Sequence, residues 1–191
     1  MEMYTYRIRG VGRSGVVLWA GGRDDGPDRV VAAADVVPVF GTVRRARVFA
    51  GRRGWRLAAS ETATLELDRL RRWLDEPVRR RVPEGVVLDA WNFFEDLSRG
   101  LGKPQGHAPH EPRHEPPHEP RRGPLREPPH EPRHQPQLLP RQGPLHNSAY
   151  DKLFDATPRT PWTPEEHDAV RQLLSAGLEL WNTCPTARNP R

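Results

Sequence analysis

Cysteine, lysine and long apolar runs are what this 191-residue chain has least of. Its one cysteine, Cys184, excludes an intrachain disulfide framework and any cysteine-rich metal knuckle. No run of 18 apolar residues occurs, and no apolar segment of leader type opens the chain. The expectation is a soluble protein of a reducing compartment, the cytoplasm, with no membrane partner. Lysine is nearly missing: Lys103 and Lys152 stand against 28 arginines. With 22 prolines and 16 glycines beside them, that imbalance is what the codons of a GC-rich genome produce. Arginine content alone therefore says less about nucleic acid than it would in a balanced composition.

Catalytic parts are missing too. Neither H-R-D, D-F-G nor G-x-S-x-G occurs. His167 is the one histidine outside residues 101–146, and Cys184 precedes a proline close to the C-terminus. No histidine and acid are placed to activate a serine. The expectation is a non-enzymatic protein with no cofactor and no metal.

What is present starts with a glycine motif. Arg9-Gly10-Val11-Gly12-Arg13-Ser14-Gly15 spells G-x-G-x-x-G after a strand-like stretch at residues 4–9. A dinucleotide site needs a helix to begin inside that run, because the pyrophosphate sits on the helix N-terminus. Residues 15–20 instead carry Val16-Val17-Leu18-Trp19-Ala20 and close on Gly21-Gly22, which reads as a second strand. Asp35, 20 residues beyond Gly15, then has no ribose to hold. A kinase-type loop fails for want of a lysine on the next strand. The motif reads as a hairpin whose glycines supply positive φ.

Residues 30–37 fit strand and helix equally. From Pro38 the apolar positions Val39, Phe40, Val43, Ala46 and Ala50 have helical spacing. Trp55 to Ala58 reads as a third strand, and residues 65–74 as a helix stopped by Asp75-Glu76-Pro77. A longer helix opens at Pro83-Glu84 and runs to Gly100. Its spacing puts Val86, Val87, Ala90, Trp91, Phe93, Phe94 and Leu97 on a core face, with Asp89, Asn92 and Asp96 on the opposite, solvated one.

Composition shifts at Leu101. Residues 101–146 hold 13 prolines and seven histidines, with His110-Glu111-Pro112-Arg113-His114 repeated as His130-Glu131-Pro132-Arg133-His134. Proline at that density blocks helix and central strand, and little apolar surface offsets the entropy of ordering. The segment reads as a disordered tether grown by repeat slippage. Its histidines step by four, which does not match the three-residue repeat of polyproline II, so they form no pre-organised metal site. Pro116-Pro117 and Pro128-Pro129 leave a proline-recognition role open. Beyond it, Asn147-Ser148 caps a short helix through Phe154. Thr163-Pro164-Glu165-Glu166 opens a last one by N-cap, early proline and capping-box glutamate. Ala169, Val170, Leu173, Leu174, Gly177, Leu178, Leu180 and Trp181 form its apolar face.

The expected architecture is α+β: a small antiparallel sheet packed by four to five helices. Residues 1–100 form the main part of a single domain, 101–146 a Pro/His/Arg/Glu insertion, and 147–191 a helical part docking back. Leu88-Asp89-Ala90-Trp91-Asn92-Phe93-Phe94-Glu95-Asp96-Leu97 and Tyr150-Asp151-Lys152-Leu153-Phe154 carry a resemblance. So does Gly177-Leu178-Glu179-Leu180-Trp181. In these segments the chain is similar to a group of uncharacterised actinobacterial proteins, which implies no activity to carry over.

Net charge is +5 overall: +4 over residues 1–100, +2 over 101–146 and −1 over 147–191. No acid lies between Asp35 and Glu61, so Arg44, Arg45, Arg47, Arg52, Arg53 and Arg56 form a local positive patch, interleaved with Phe49 and Trp55. The function expected is a protein–protein interaction module, with immunity against a secreted toxin as one setting. The alternative is a nucleic-acid-associated protein using residues 44–56 against phosphates and bases.

Overall fold

A computed structural model describes residues 2–10, 12–22, 26–59, 62–77, 82–102, 139–140, 142–154 and 161–190. Strand β1 (Glu2–Arg9) pairs antiparallel with β2 (Gly15–Ala20), from Met3 opposite Ala20 to Ile8 opposite Gly15. Gly10 and Gly12 in the connection have φ of 100° and 72°, conformations that glycine adopts without strain. The loop therefore turns a hairpin. Strand β2 explains its own unbroken apolar run, because both of its faces are covered. Val16, Leu18 and Ala20 face one core cluster, and Val17 faces the other.

Strand β3 (Arg29–Val30) extends the sheet beyond β2. The ambiguous 30–37 segment is neither one strand nor a helix. Ala33 and Val36 bridge across Ala34 and Asp35, whose φ values of 50° and 63° make a type I′ turn without glycine. Asp35 is thus a turn residue. The chain leaves as β4 (Val37–Val39), so the helical spacing read from Pro38 begins too early. Pro38 is tolerated in a strand because the bonds to the C-terminal segment run through Val37 N and Val39 O and ask for no N–H at residue 38. Helix α1 (Val43–Arg52) starts five residues later, where the Thr42 side chain accepts from Arg45 N.

Helix α1 covers one face of the sheet with Ala46, Phe49 and Ala50, packed with Met3, Leu18 and Phe40. Because this crossover brings the chain back in the same sense, β5 (Arg56–Leu57) and β6 (Ala63–Glu66) run parallel to β1. The sheet is mixed where antiparallel pairing was expected, although the α+β class holds. Strand β6 takes the first residues of the helix expected over 65–74, which begins at Leu67 as α2 (Leu67–Asp75).

The opposite face carries α2, α3 (Glu84–Gly102), α4 (Pro144–Phe154) and α5 (Pro164–Thr183). Helix α3 is the centre of this layer, burying Trp91, Phe93, Phe94 and Leu97. It packs on α5 so closely that a Cβ at Gly177 would clash with Cδ2 and Cγ of Phe94. The start of α5 has the full capping box, with Thr163 and Glu166 exchanging side-chain to backbone bonds. Two boundaries differ from expectation at the tether. Leu101 and Gly102 complete α3, and α4 opens at Pro144, three residues before Asn147. Residues 103–138, to which most of the tether reading applies, lie outside the described residues. After α5 the chain forms β7 (Thr186–Arg188), parallel to β4, an element absent from the reading of the sequence.

Candidate functional site

With no acid from Val36 to Ser60, α1 can present only arginine as its charge. Its buried residues recur at helical spacing, so Arg44, Arg45, Arg47, Val48 and Arg52 are left on the outer face, all exposed. Alongside lies a groove of ≈ 700 Å³. Phe40, Val48 and Phe49 line it with apolar surface, Arg44, Arg45 and Arg52 with charge, and Asn189 and Pro190, just beyond the C-terminal residues 186–188, complete the lining. Val48, 49% exposed, is the apolar side chain most open to water in the groove.

The structure divides the six arginines of the sequence patch. Arg44, Arg45 and Arg52 line the groove. Arg53 lies over the ring of Phe49, its guanidinium carbon 3.6 Å from the centroid, and 5.8 Å from that of Trp55. Arg47 stays on the exposed side of α1 outside the groove, and Arg56 is exposed on β5. Among the described residues none of the six makes an ion pair. Uncompensated guanidinium groups grouped beside apolar surface are disposed to take carboxylates, bidentately where geometry allows.

Two nearby arginines do not join them. Arg9 pairs with Glu66 at 3.2 Å. Arg13 closes the C-terminus of α5: Nη1 donates to Trp181 O at 2.8 Å and Cys184 O at 3.0 Å, and Nη2 to Asn182 O at 3.0 Å. Its guanidinium also lies 5.4 Å from the Trp181 ring centroid. The glycine motif thus delivers an arginine to the last carbonyls of a helix 168 residues on.

A smaller cleft of ≈ 390 Å³ opens where β1 and β2 meet α3. Tyr6, Trp19 and Tyr150 line it together with Asp28, Asp89 and Asp96. Of the Asp89–Asn92–Asp96 face of α3, Asp89 is exposed as expected, whereas Asn92 is half-buried and Asp96 buried. Asn92 accepts from Tyr150 Oη at 2.9 Å, and Asp96 is 4% exposed. Burial pushes the Asp96 carboxyl up to about 6, against the opposing pull of Arg99, which bonds both Asp96 and Glu95. Burial also raises the Tyr6 hydroxyl to about 12, with Asp89 adding to it. Sequence reasoning found the three α3 residues but not the two tyrosines and Trp19, which come from β1, β2 and α4. Among the described residues no group of three or more His, Cys, Asp or Glu is disposed to hold a metal ion.

The nucleophile candidates are enclosed. Cys184 is buried, which raises its thiol against the opposing effect of Arg13. His167 lies edge-on between Trp73 and Trp162, with ring centroids at 5.3 and 5.9 Å, and burial lowers its imidazole further than Arg171 does. Glu166 is held down to about 2, chiefly by Lys152 and then Ser148, as an anchor between α4 and α5. No helix of the described residues is long and apolar enough to cross a membrane. No family model matches this chain, and neither a curated protein nor a solved structure matches it.

Proposed function

We propose that this chain is a protein-binding module that takes an acidic segment of another protein into the groove beside α1. The observation that supports this reading is the combination in one place of Arg44, Arg45 and Arg52, none in an ion pair among the described residues, with the open apolar side chain of Val48. A carboxylate-bearing segment with an apolar anchor satisfies both halves of that surface. Opposed charges steer the encounter, and the apolar contact slows release. Arg53, seated on Phe49, adds charge from a position held by ring contacts.

The same guanidinium groups favour phosphate, which is why nucleic acid is the second reading. Base stacking, however, needs open aromatic faces. Phe40 is 1% exposed and Phe49 4%, with Arg53 already over the latter ring. The exposed apolar group is an aliphatic one. That difference favours a protein segment.

The two readings separate in one titration. The full chain is titrated with a fluorescein-labelled Glu/Val peptide and, separately, with single-stranded and duplex DNA. The triple variant Arg44→Glu, Arg45→Glu, Arg52→Glu is titrated alongside, its fold checked by circular dichroism. The expected result is peptide binding that weakens by about a hundredfold in the variant, given a few kcal/mol for grouped charge-assisted contacts. DNA bound more tightly than the peptide, and lost in the variant, would establish the second reading. Unchanged peptide binding in the variant would sink the groove as the site.

A further inference from the structure

Strand β7 is three residues long and, among the described residues, pairs on one side only. Its ladder with β4 has Val37 opposite Thr186 and Val39 opposite Arg188. The bonds at its two ends are Val37 N to Pro185 O, 2.9 Å, and Asn189 N to Val39 O, 2.8 Å. In a parallel ladder the residue between two bonding neighbours turns its own N–H and C=O to the other side. Pro185, Ala187 and Asn189 therefore serve β4, while Thr186 and Arg188 present their main-chain groups on the outer edge. Among the described residues no backbone hydrogen bond involves the N–H of Thr186 or Arg188. Two residues thus offer four main-chain groups, two donors and two acceptors.

The strand ends at the groove: Asn189 and Pro190, which follow Arg188, line it together with Arg44, Arg45 and Arg52. Resting on the reading above, we propose that the acidic partner adds as an extended strand to the outer edge of β7, and that its alternate side chains meet Arg44, Arg45 and Arg52. Strand addition takes affinity from main-chain bonds and specificity from pockets that accept every second side chain. The charge argument selects the occupant. A second copy of this chain would bring its own Arg188 and α1 arginines against these, and like charges across an edge are how proteins keep their strands from pairing with themselves. An acidic strand reverses that repulsion.

Proline provides the test, because it removes an N–H while leaving an extended chain. The N–H of Arg188 takes no part in the β4 ladder, so Arg188→Pro keeps that ladder intact and deletes an outward donor. Arg188→Ala removes the same side chain and keeps the donor. Both variants and the parent chain are titrated with the fluorescein-labelled Glu/Val peptide. In parallel, the parent chain is titrated with a Glu/Pro peptide of equal charge, which lacks every second N–H and holds a polyproline II conformation in place of a β-strand. Strand addition predicts about tenfold weaker binding for Arg188→Pro than for Arg188→Ala, the scale of one lost hydrogen bond. It also predicts at least tenfold weaker binding of the Glu/Pro peptide. Equal affinities for the two position-188 variants, or for the two peptides, would overturn strand addition and leave the groove reading standing. Should Arg188→Pro lose its fold, the peptide pair alone decides. Loss of the groove reading itself would register differently, as Glu/Val binding indifferent to charge reversal at Arg44, Arg45 and Arg52.

Discussion

Arg13 shows how much one side chain on a turn can hold. Three carbonyls from the end of α5 and the face of Trp181 converge on its guanidinium. Replacing it by alanine leaves those carbonyls without that donor, so Arg13→Ala should cost about 2–3 kcal/mol and lower Tm by roughly 5–10 °C. Arg13→Lys, with one compact ammonium in place of a fork, should recover less than half of that loss in a calorimetric melt. Asp96 and Glu166 set the response to pH from opposite sides. The folded pKa of Asp96, raised to about 6, keeps its full contribution below the ordinary carboxylate range, and stability falls as pH climbs from about 4 to 6. The folded pKa of Glu166, lowered to about 2, makes its contribution full above the ordinary range and lost as pH drops from about 4.5 to 2. Each effect has an upper bound of about 3 kcal/mol. Melts across pH 2–7 should therefore peak between about pH 4 and 5 on account of these two groups. Asp96→Asn should flatten the decline above the peak without touching the one below it. A decline in that variant as steep as in the parent would contradict this assignment.

Among the elements, those with a complete internal signal were legible before the structure. Strand β2 was, because burial of both faces wrote an unbroken apolar run. Helix α5 was, because Thr163, Pro164 and Glu166 spell its start. What escaped was made by partners distant in sequence. Strands β6 and β7 have four and three residues, and their existence depends on β1 and β4 lying alongside. The Ala34–Asp35 turn lacks the Asn-Gly or Asp-Gly pair that announces type I′, so it left residues 30–37 unresolved. Asp96 was placed in water by helical phase alone, since nothing in its own helix says that Tyr150 and Trp19 close over that side. The contact between α3 and α5 offers a sharp test. Gly177→Ala drives a methyl group against the Phe94 side chain, and should cost about 1–3 kcal/mol by denaturant titration, where a glycine on an open helix face would gain stability from the same change. A gain at position 177 would show that the two helices are not packed as described.

At the scale of the molecule, two clefts of different lining lie on the two faces of the sheet. The sheet stands between an arginine groove beside α1 and a carboxylate-lined cleft beside α3. The positive patch was legible as a stretch without acids, but its division was not. Only the fold decides that Arg44, Arg45 and Arg52 share a groove while Arg47 and Arg56 do not, or that residues 189 and 190 join its lining. The most direct measurement of the central claim is an amide-resolved NMR titration of the full chain with the Glu/Val peptide. The account predicts shifts that saturate together in residues 42–53 and 186–189, with the amides of Trp19, Asp89 and Asp96 unmoved. Shifts centred on the carboxylate cleft, or none that saturate at Arg44, Arg45 and Arg52, would contradict it.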